Sequence, residues 1–63
     1  MNRTTRLIRL PEVKKRTGLS GSTIYRLINN QSFPPVIKIG ERASAWSLEE
    51  VQEWIDVQRA MDR

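Results

Sequence analysis

Pro11-Glu12-Val13-Lys14-Lys15-Arg16-Thr17-Gly18-Leu19-Ser20-Gly21-Ser22-Thr23-Ile24-Tyr25-Arg26-Leu27-Ile28-Asn29-Asn30 places two short helical patterns either side of one glycine. Pro11 suits a first helical turn, where its missing N–H costs nothing. Glu12 comes next in the positive N-terminal turn, and Lys14-Lys15-Arg16 fall in the last turn, where cations complement the dipole. Leu10, Val13 and Thr17 recur at i, i+3 and i+7 as a thin inward stripe, and Gly18 supplies the stop, so a helix is predicted over about 11–17. Leu19 plugs the turn and Ser20 caps the second helix. From Gly21 to Asn30, Ile24, Leu27 and Ile28 share one face. Ser22, Tyr25, Arg26 and Asn29 share the opposite one, and each can donate a hydrogen bond. Two short helices joined by Thr17-Gly18-Leu19-Ser20 read as a helix-turn-helix whose second helix presents a polar face.

Outward from this pair, Met1–Thr5 is polar and Arg6-Leu7-Ile8-Arg9-Leu10 has the composition of a brief strand. Phe33-Pro34-Pro35 breaks any helix and fixes an extended entry to Val36-Ile37-Lys38-Ile39, with Ile37 and Ile39 on one side and Lys38 on the other. Gly40-Glu41 is a tight turn and Arg42-Ala43-Ser44-Ala45-Trp46 the returning strand. A hairpin with Lys38 and Arg42 near its tip, placed after a helix-turn-helix, has the form of a wing. Ser47-Leu48-Glu49-Glu50 then spells a capping box, with Glu50 expected to reach back to Ser47. Leu48, Val51, Trp54 and Ile55 line one face of a third helix to about Arg59, while Glu49, Glu50, Glu53 and Asp56 gather on the other. The predicted fold is mainly α with a small β-hairpin, a winged helix-turn-helix. It forms a single domain over residues 6–59, between a flexible N-terminus (1–5) and a C-terminal tail (60–63).

Composition narrows the chemistry. A chain of 63 residues holds one small domain, and 38% hydrophobic residues give it a modest core. The absence of Cys removes disulfides, thiolate metal sites and cysteine nucleophiles. The absence of His removes the commonest general base and the commonest metal ligand. Carboxylates confined to one exposed helix do not make a catalytic metal site, so neither enzymatic activity nor a cofactor is expected. With no apolar run of membrane length, the expectation is a soluble cytoplasmic protein. Charge is divided along the chain: residues 1–42 carry a net +7 and residues 43–63 a net −3. Eight of the eleven basic residues are Arg, the side chain suited to bidentate phosphate and guanine contacts. The first two-thirds are built to meet a polyanion.

Arg6-Leu7-Ile8-Arg9-Leu10-Pro11-Glu12-Val13, Thr17-Gly18-Leu19-Ser20 and Ser22-Thr23-Ile24-Tyr25-Arg26-Leu27-Ile28 together resemble AlpA-type prophage regulatory proteins. So do Phe33-Pro34, Lys38-Ile39-Gly40, Arg42-Ala43, Trp46 and the closing Glu50-Val51 with Trp54-Ile55. The resemblance covers about Arg6 to Val57. It implies a winged helix of the MerR and excisionase kind that binds double-stranded DNA. Members either activate the integrase gene of an integrated element or act as excisionases. Two positions depart from the pattern. Gly21 stands where Arg is common, removing one contact at the start of helix 2. Arg16 stands where an apolar residue is common, thinning the packing of helix 1.

On this reading helix 2 enters the major groove. Arg26 reaches guanine, Asn29 or Thr23 reads adenine or a phosphate, and Ser22 and Tyr25 hold phosphates with Ser20 at the cap. Lys38 and Arg42 form the wing, with Arg entering a minor groove. Lys15 and Arg16 are further candidates, although dipole complementation accounts for the Lys14–Arg16 run equally well, and Arg6 and Arg9 beside the short strand are candidates for phosphate contact on the same footing. Trp46 and Trp54 align with apolar faces and are expected in the core rather than stacked on bases. The acidic face of helix 3 is either a solvated surface or a docking site for RNA polymerase, an integrase or a neighbouring copy on DNA. A competing reading makes the chain a protein-interaction module, such as an antirepressor working through that face.

Overall fold

The computed structural model describes residues 6–61, so the expectation of a flexible N-terminus over residues 1–5 lies outside the described residues. In chain order the elements are β1 (Leu7–Ile8), α1 (Leu10–Thr17), α2 (Gly21–Asn29), β2 (Ile37–Lys38), β3 (Ser44–Ser47) and α3 (Leu48–Met61). The architecture is mainly helical with a small antiparallel sheet, as a winged helix-turn-helix requires. The sheet has three strands in the order β1-β3-β2. The expected hairpin is therefore completed by β1, with Leu7 opposite Ser47 and Ile8 opposite Trp46. On the wing side Ile37 opposes Ala45 and Lys38 opposes Ser44.

Local rules set the helix ends. α1 starts at Leu10, one residue before the expected Pro11, with Arg9 as its extended N-cap. Glu12 and Val13 both donate to the Arg9 carbonyl, closing the first turn despite the proline. Gly18 ends α1 in the left-handed conformation (φ 77°), its N–H donating to the Lys14 carbonyl at 2.8 Å. Ser20 caps α2 as expected: its Oγ accepts from the Thr23 N–H at 3.3 Å and its hydroxyl donates to Thr23 Oγ1 at 3.0 Å. The far end of α2 is a Schellman motif. Gln31 N–H donates to the Ile28 carbonyl (2.9 Å) and Ser32 N–H to the Leu27 carbonyl (2.8 Å), with Gln31 itself at φ 61°. That position normally takes glycine, so a glutamine there carries no sequence signal for the turn.

The capping box is only half formed. Ser47 Oγ accepts from Glu50 N–H at 3.3 Å, but Glu49, not Glu50, answers the serine: the Ser47 hydroxyl donates to Glu49 Oε1 at 3.2 Å. Ser47 is still the last residue of β3, in register with Leu7, and is buried. β3 is also shorter than expected, because Arg42 and Ala43 belong to the wing loop. α3 continues to Met61, two residues past the expected end.

The core consists of Val13, Ile24, Phe33, Trp46 and Val51, one or more from every layer. Ile8, Leu10, Leu19, Leu27, Ile28, Val36, Trp54 and Ile55 pack around it, partly buried. Both tryptophans are structural. Trp46 is fully buried, and Trp54 leans on Phe33 (ring centroids 4.8 Å apart) while its Nε1 donates to the Ser32 carbonyl at 2.7 Å. Phe33, which the sequence presents only as part of a helix break, is a core residue. Ile37 and Ile39, by contrast, remain 36% and 45% exposed on the wing.

Candidate nucleic-acid interface

α2 buries Ile24 completely and turns Ser22, Tyr25, Arg26 and Asn29 to solvent. Amphipathic spacing does this directly: residues at i, i+3, i+4 and i+7 share one face, and here that face is entirely uncharged or cationic. Ser20 and Thr23 are engaged with each other in the cap, and the Ser22 hydroxyl also contacts Ser20 Oγ at 3.4 Å, which leaves Tyr25, Arg26 and Asn29 as the outward donors with no partner in the cap. No acidic residue occurs in the first turn of α2. An incoming anion therefore meets the positive end of that helix without a carboxylate in front of it.

Tyr25 fixes this face relative to the wing. Its ring meets Trp46 edge-on, with centroids 6.1 Å apart at 61°, so α2 is fastened to the central strand of the sheet. β3 continues back through Ser44 and Ala43 to the wing loop, closed by the Ile39 N–H donating to the Ala43 carbonyl at 3.0 Å. Lys38 and Arg42, both exposed, stand on this loop and its strand, together with Glu41. Between wing and helices lies a recess of about 450 Å³, lined by Arg9, Tyr25, Arg42, Ser44 and Trp46 among others. The fold thus gathers Tyr25 and Arg42 in one place and adds Arg9.

Arg16 is placed elsewhere. Its Nε donates to Glu12 Oε2 at 2.7 Å, one helical turn back, and the same side chain borders a second recess against Glu49, Gln52, Glu53 and Asp56 of α3. Its carboxylate partner is Glu12 of α1, and the recess it borders is lined by α3, not by the polar face of α2. Lys15, one residue earlier, is exposed. On α3, Glu49 has its carboxyl held below the usual carboxylate range, chiefly by the backbone N–H at the helix start and further by the Ser47 hydroxyl and nearby Arg6; desolvation opposes this. Among the described residues no group of three His, Cys, Asp or Glu is arranged to hold a metal ion. No helix among them is long and apolar enough to cross a membrane.

Comparison with known proteins agrees with this geometry. The family described as prophage CP4-57 regulatory protein (AlpA) matches residues 6–59, from β1 to the last turns of α3. The uncharacterized protein ORF88 of Enterobacteria phage P4 is 46% identical over 50 residues, covering 79% of this chain and 57% of its own length. The DNA-binding transcriptional activator AlpA of Escherichia coli K12 is 34% identical over 56 residues, covering 79% of this chain and 80% of that protein. The match with the phage P4 protein thus takes in little more than half of that relative. A family match running from the first strand to the third helix, over the same elements that build the polar α2 face and its wing, assigns the chain: it belongs to the AlpA family of prophage regulatory proteins.

Proposed function

We propose that the chain is a sequence-specific double-stranded DNA-binding transcriptional regulator of a prophage or other integrated element, acting in the bacterial cytoplasm on or near an integrase gene. The observation that carries this reading is the exposed, carboxylate-free face of Ser22, Tyr25, Arg26 and Asn29 on α2, with Arg42 of the wing lining the same recess as Tyr25. The relative named a DNA-binding transcriptional activator supports it. α2 lies in the major groove, where Arg26 is the residue long enough and cationic enough to grip guanine O6 and N7; Asn29 and Thr23 read neighbouring positions. Ser20, Ser22, Tyr25 and the wing set register on phosphates. The protein acts by binding, with no chemistry of its own and no cofactor. Arg16, tied to Glu12, supports α1 instead of the DNA contact, whereas Lys15 remains a phosphate contact. Helices this short cover little DNA, so several copies associate on it. The acidic face of α3 is then free for RNA polymerase or an integrase.

The test is fluorescence anisotropy on duplexes tiled across DNA flanking the gene, repeated over a range of salt. One segment binding at least ~10³-fold tighter than the rest supports the proposal. The slope of log K against log salt should correspond to about four to seven phosphates. Arg26→Ala should lose about 1–3 kcal/mol on that segment and relax preference at one base pair. Uniformly weak binding with a shallow slope would refute the proposal and favour a protein-interaction module working through α3. Circularly permuted fragments separate a bending excisionase from an activator, since activation does not require a bend.

A further inference from the structure

Arg9 and Arg42 come from opposite ends of the chain's basic half, yet they line one recess. Arg9 is the N-cap of α1 and makes no side-chain capping bond; Arg42 stands on the wing loop. Among the described residues neither forms an ion pair with a carboxylate, and no carboxylate lines the recess. Glu12, the acidic residue nearest in sequence to Arg9, is engaged by Arg16 at 2.7 Å. Two cations lining one recess with no carboxylate make it electropositive, which favours an anion there. The other walls are suited to the same guest. Tyr25 supplies a hydroxyl from α2, its ring fixed edge-on to Trp46, and Ser44 supplies another from β3. Trp46 closes the recess from within; it is fully buried, and its Nε1 has no hydrogen-bond partner among the described residues.

We infer that this recess is a seat for a single phosphodiester of the DNA backbone, held jointly by Arg9, Tyr25 and Arg42. A phosphate fits for two reasons. It offers several acceptor oxygens around one centre, so donors from three elements can converge on it, and guanidinium groups grip it with paired hydrogen bonds. Its occupation ties the N-terminus of α1, the recognition helix and the wing to one point on the duplex, which fixes the register of α2 in the groove. Arg9, Tyr25 and Arg42 then share one phosphate instead of holding one each. This inference rests on the proposed DNA-binding function.

The experiment uses the full chain and its tightest duplex from the tiling. Single neutral methylphosphonates are placed at each backbone position in turn, against wild type, Arg9→Gln, Arg42→Gln, Tyr25→Phe and the double variant Arg9→Gln/Arg42→Gln. Circular-dichroism melting checks that each variant is folded. Wild type should lose about tenfold in affinity at one particular phosphate, and the double variant should be nearly indifferent to the same replacement. The salt slope of the double variant should fall by about one phosphate, not two. Two separate positions, each answering to one arginine with a slope loss of about two, would overturn the shared seat. So would a double variant that binds like wild type. In both of those cases the duplex-binding reading itself survives, whereas wild-type protein that prefers no duplex removes both.

Discussion

Two turns of the helix-turn-helix region put the same conformational demand on different residues. Gly18 at the end of α1 and Gln31 after α2 both occupy left-handed backbone, at φ 77° and 61°. A β-carbon in that region costs about 1–2 kcal/mol. Glycine avoids this cost but gives back about 0.5–1 kcal/mol through its freer unfolded chain. Gln31→Gly should therefore stabilise the domain by about 0.5–1 kcal/mol, since the Schellman bonds to the Ile28 and Leu27 carbonyls are made by backbone and survive the change. At ~4–8 °C per kcal/mol for a domain of this size, the melting midpoint should rise by about 2–8 °C. Gly18→Ala is the mirror experiment. An added Cβ at Gly18 has nothing within 4 Å, so clash contributes nothing and the loss, about 1 kcal/mol, is conformational. Urea denaturation tracked by far-UV circular dichroism, on wild type, Gln31→Gly, Gln31→Ala and Gly18→Ala, measures all of these together. Gln31→Ala keeps the β-carbon and should stay within about 0.5 kcal/mol of wild type. A Gln31→Ala gain equal to that of Gln31→Gly would place the effect in the lost side chain and refute the backbone argument. So would a destabilised Gln31→Gly.

Ile24→Ala, at a fully buried core position, should cost about 2–5 kcal/mol, comparable to the ~3–5 kcal/mol a core of this size supplies, and leave little folded protein in a thermal melt. Ile24→Val should cost only about 0.5–1.5 kcal/mol and keep a cooperative transition. Gly21→Arg should be accepted by the fold, because a Cβ there meets Leu10 Cδ2 at an ordinary 3.6 Å; anisotropy titrations should show tighter duplex binding with a salt slope steeper by about one phosphate. Glu49→Gln should lower stability at neutral pH. The depressed carboxyl of wild type stabilises the fold above the unfolded-state pKa and loses that contribution as pH falls through its lowered folded value. Urea midpoints of the two proteins should therefore converge in acid; a gap that stays constant with pH would show that the charge is not its source.

Most of the helical architecture is legible in the sequence because periodic burial and capping are local. The Ile24/Leu27/Ile28 stripe, the Ser20 cap and the Gly18 stop each occupy a few consecutive residues, and the structure has all of them. The features that escape are set by distant neighbours. The composition of Arg6–Leu10 marks the brief strand β1, but not its partners Trp46 and Ser47, about forty residues away. Phe33 reads as punctuation because its neighbours are prolines, but its burial depends on Trp54 in α3. Local spacing points to Glu50 as the residue completing the capping box, whereas the Ser47 hydroxyl turns to Glu49 and the box stays half formed. In the candidate interface the outward face of α2 comes directly from helical spacing. The meeting of Arg9 with Arg42 does not, since it arises only when the wing folds back toward the start of α1.

The junction at Ser47 and Leu48 has a mechanical consequence. β3 passes into α3 with no intervening loop, and the Leu48 N–H is pinned to the Arg6 carbonyl at 2.7 Å. The wing and the acidic helix are thus two arms of one lever, pivoting about a strand clamped on both edges. With no slack segment between them, loosening the Ser47–Leu48 junction would disturb the wing strand and the carboxylate-bearing arm together.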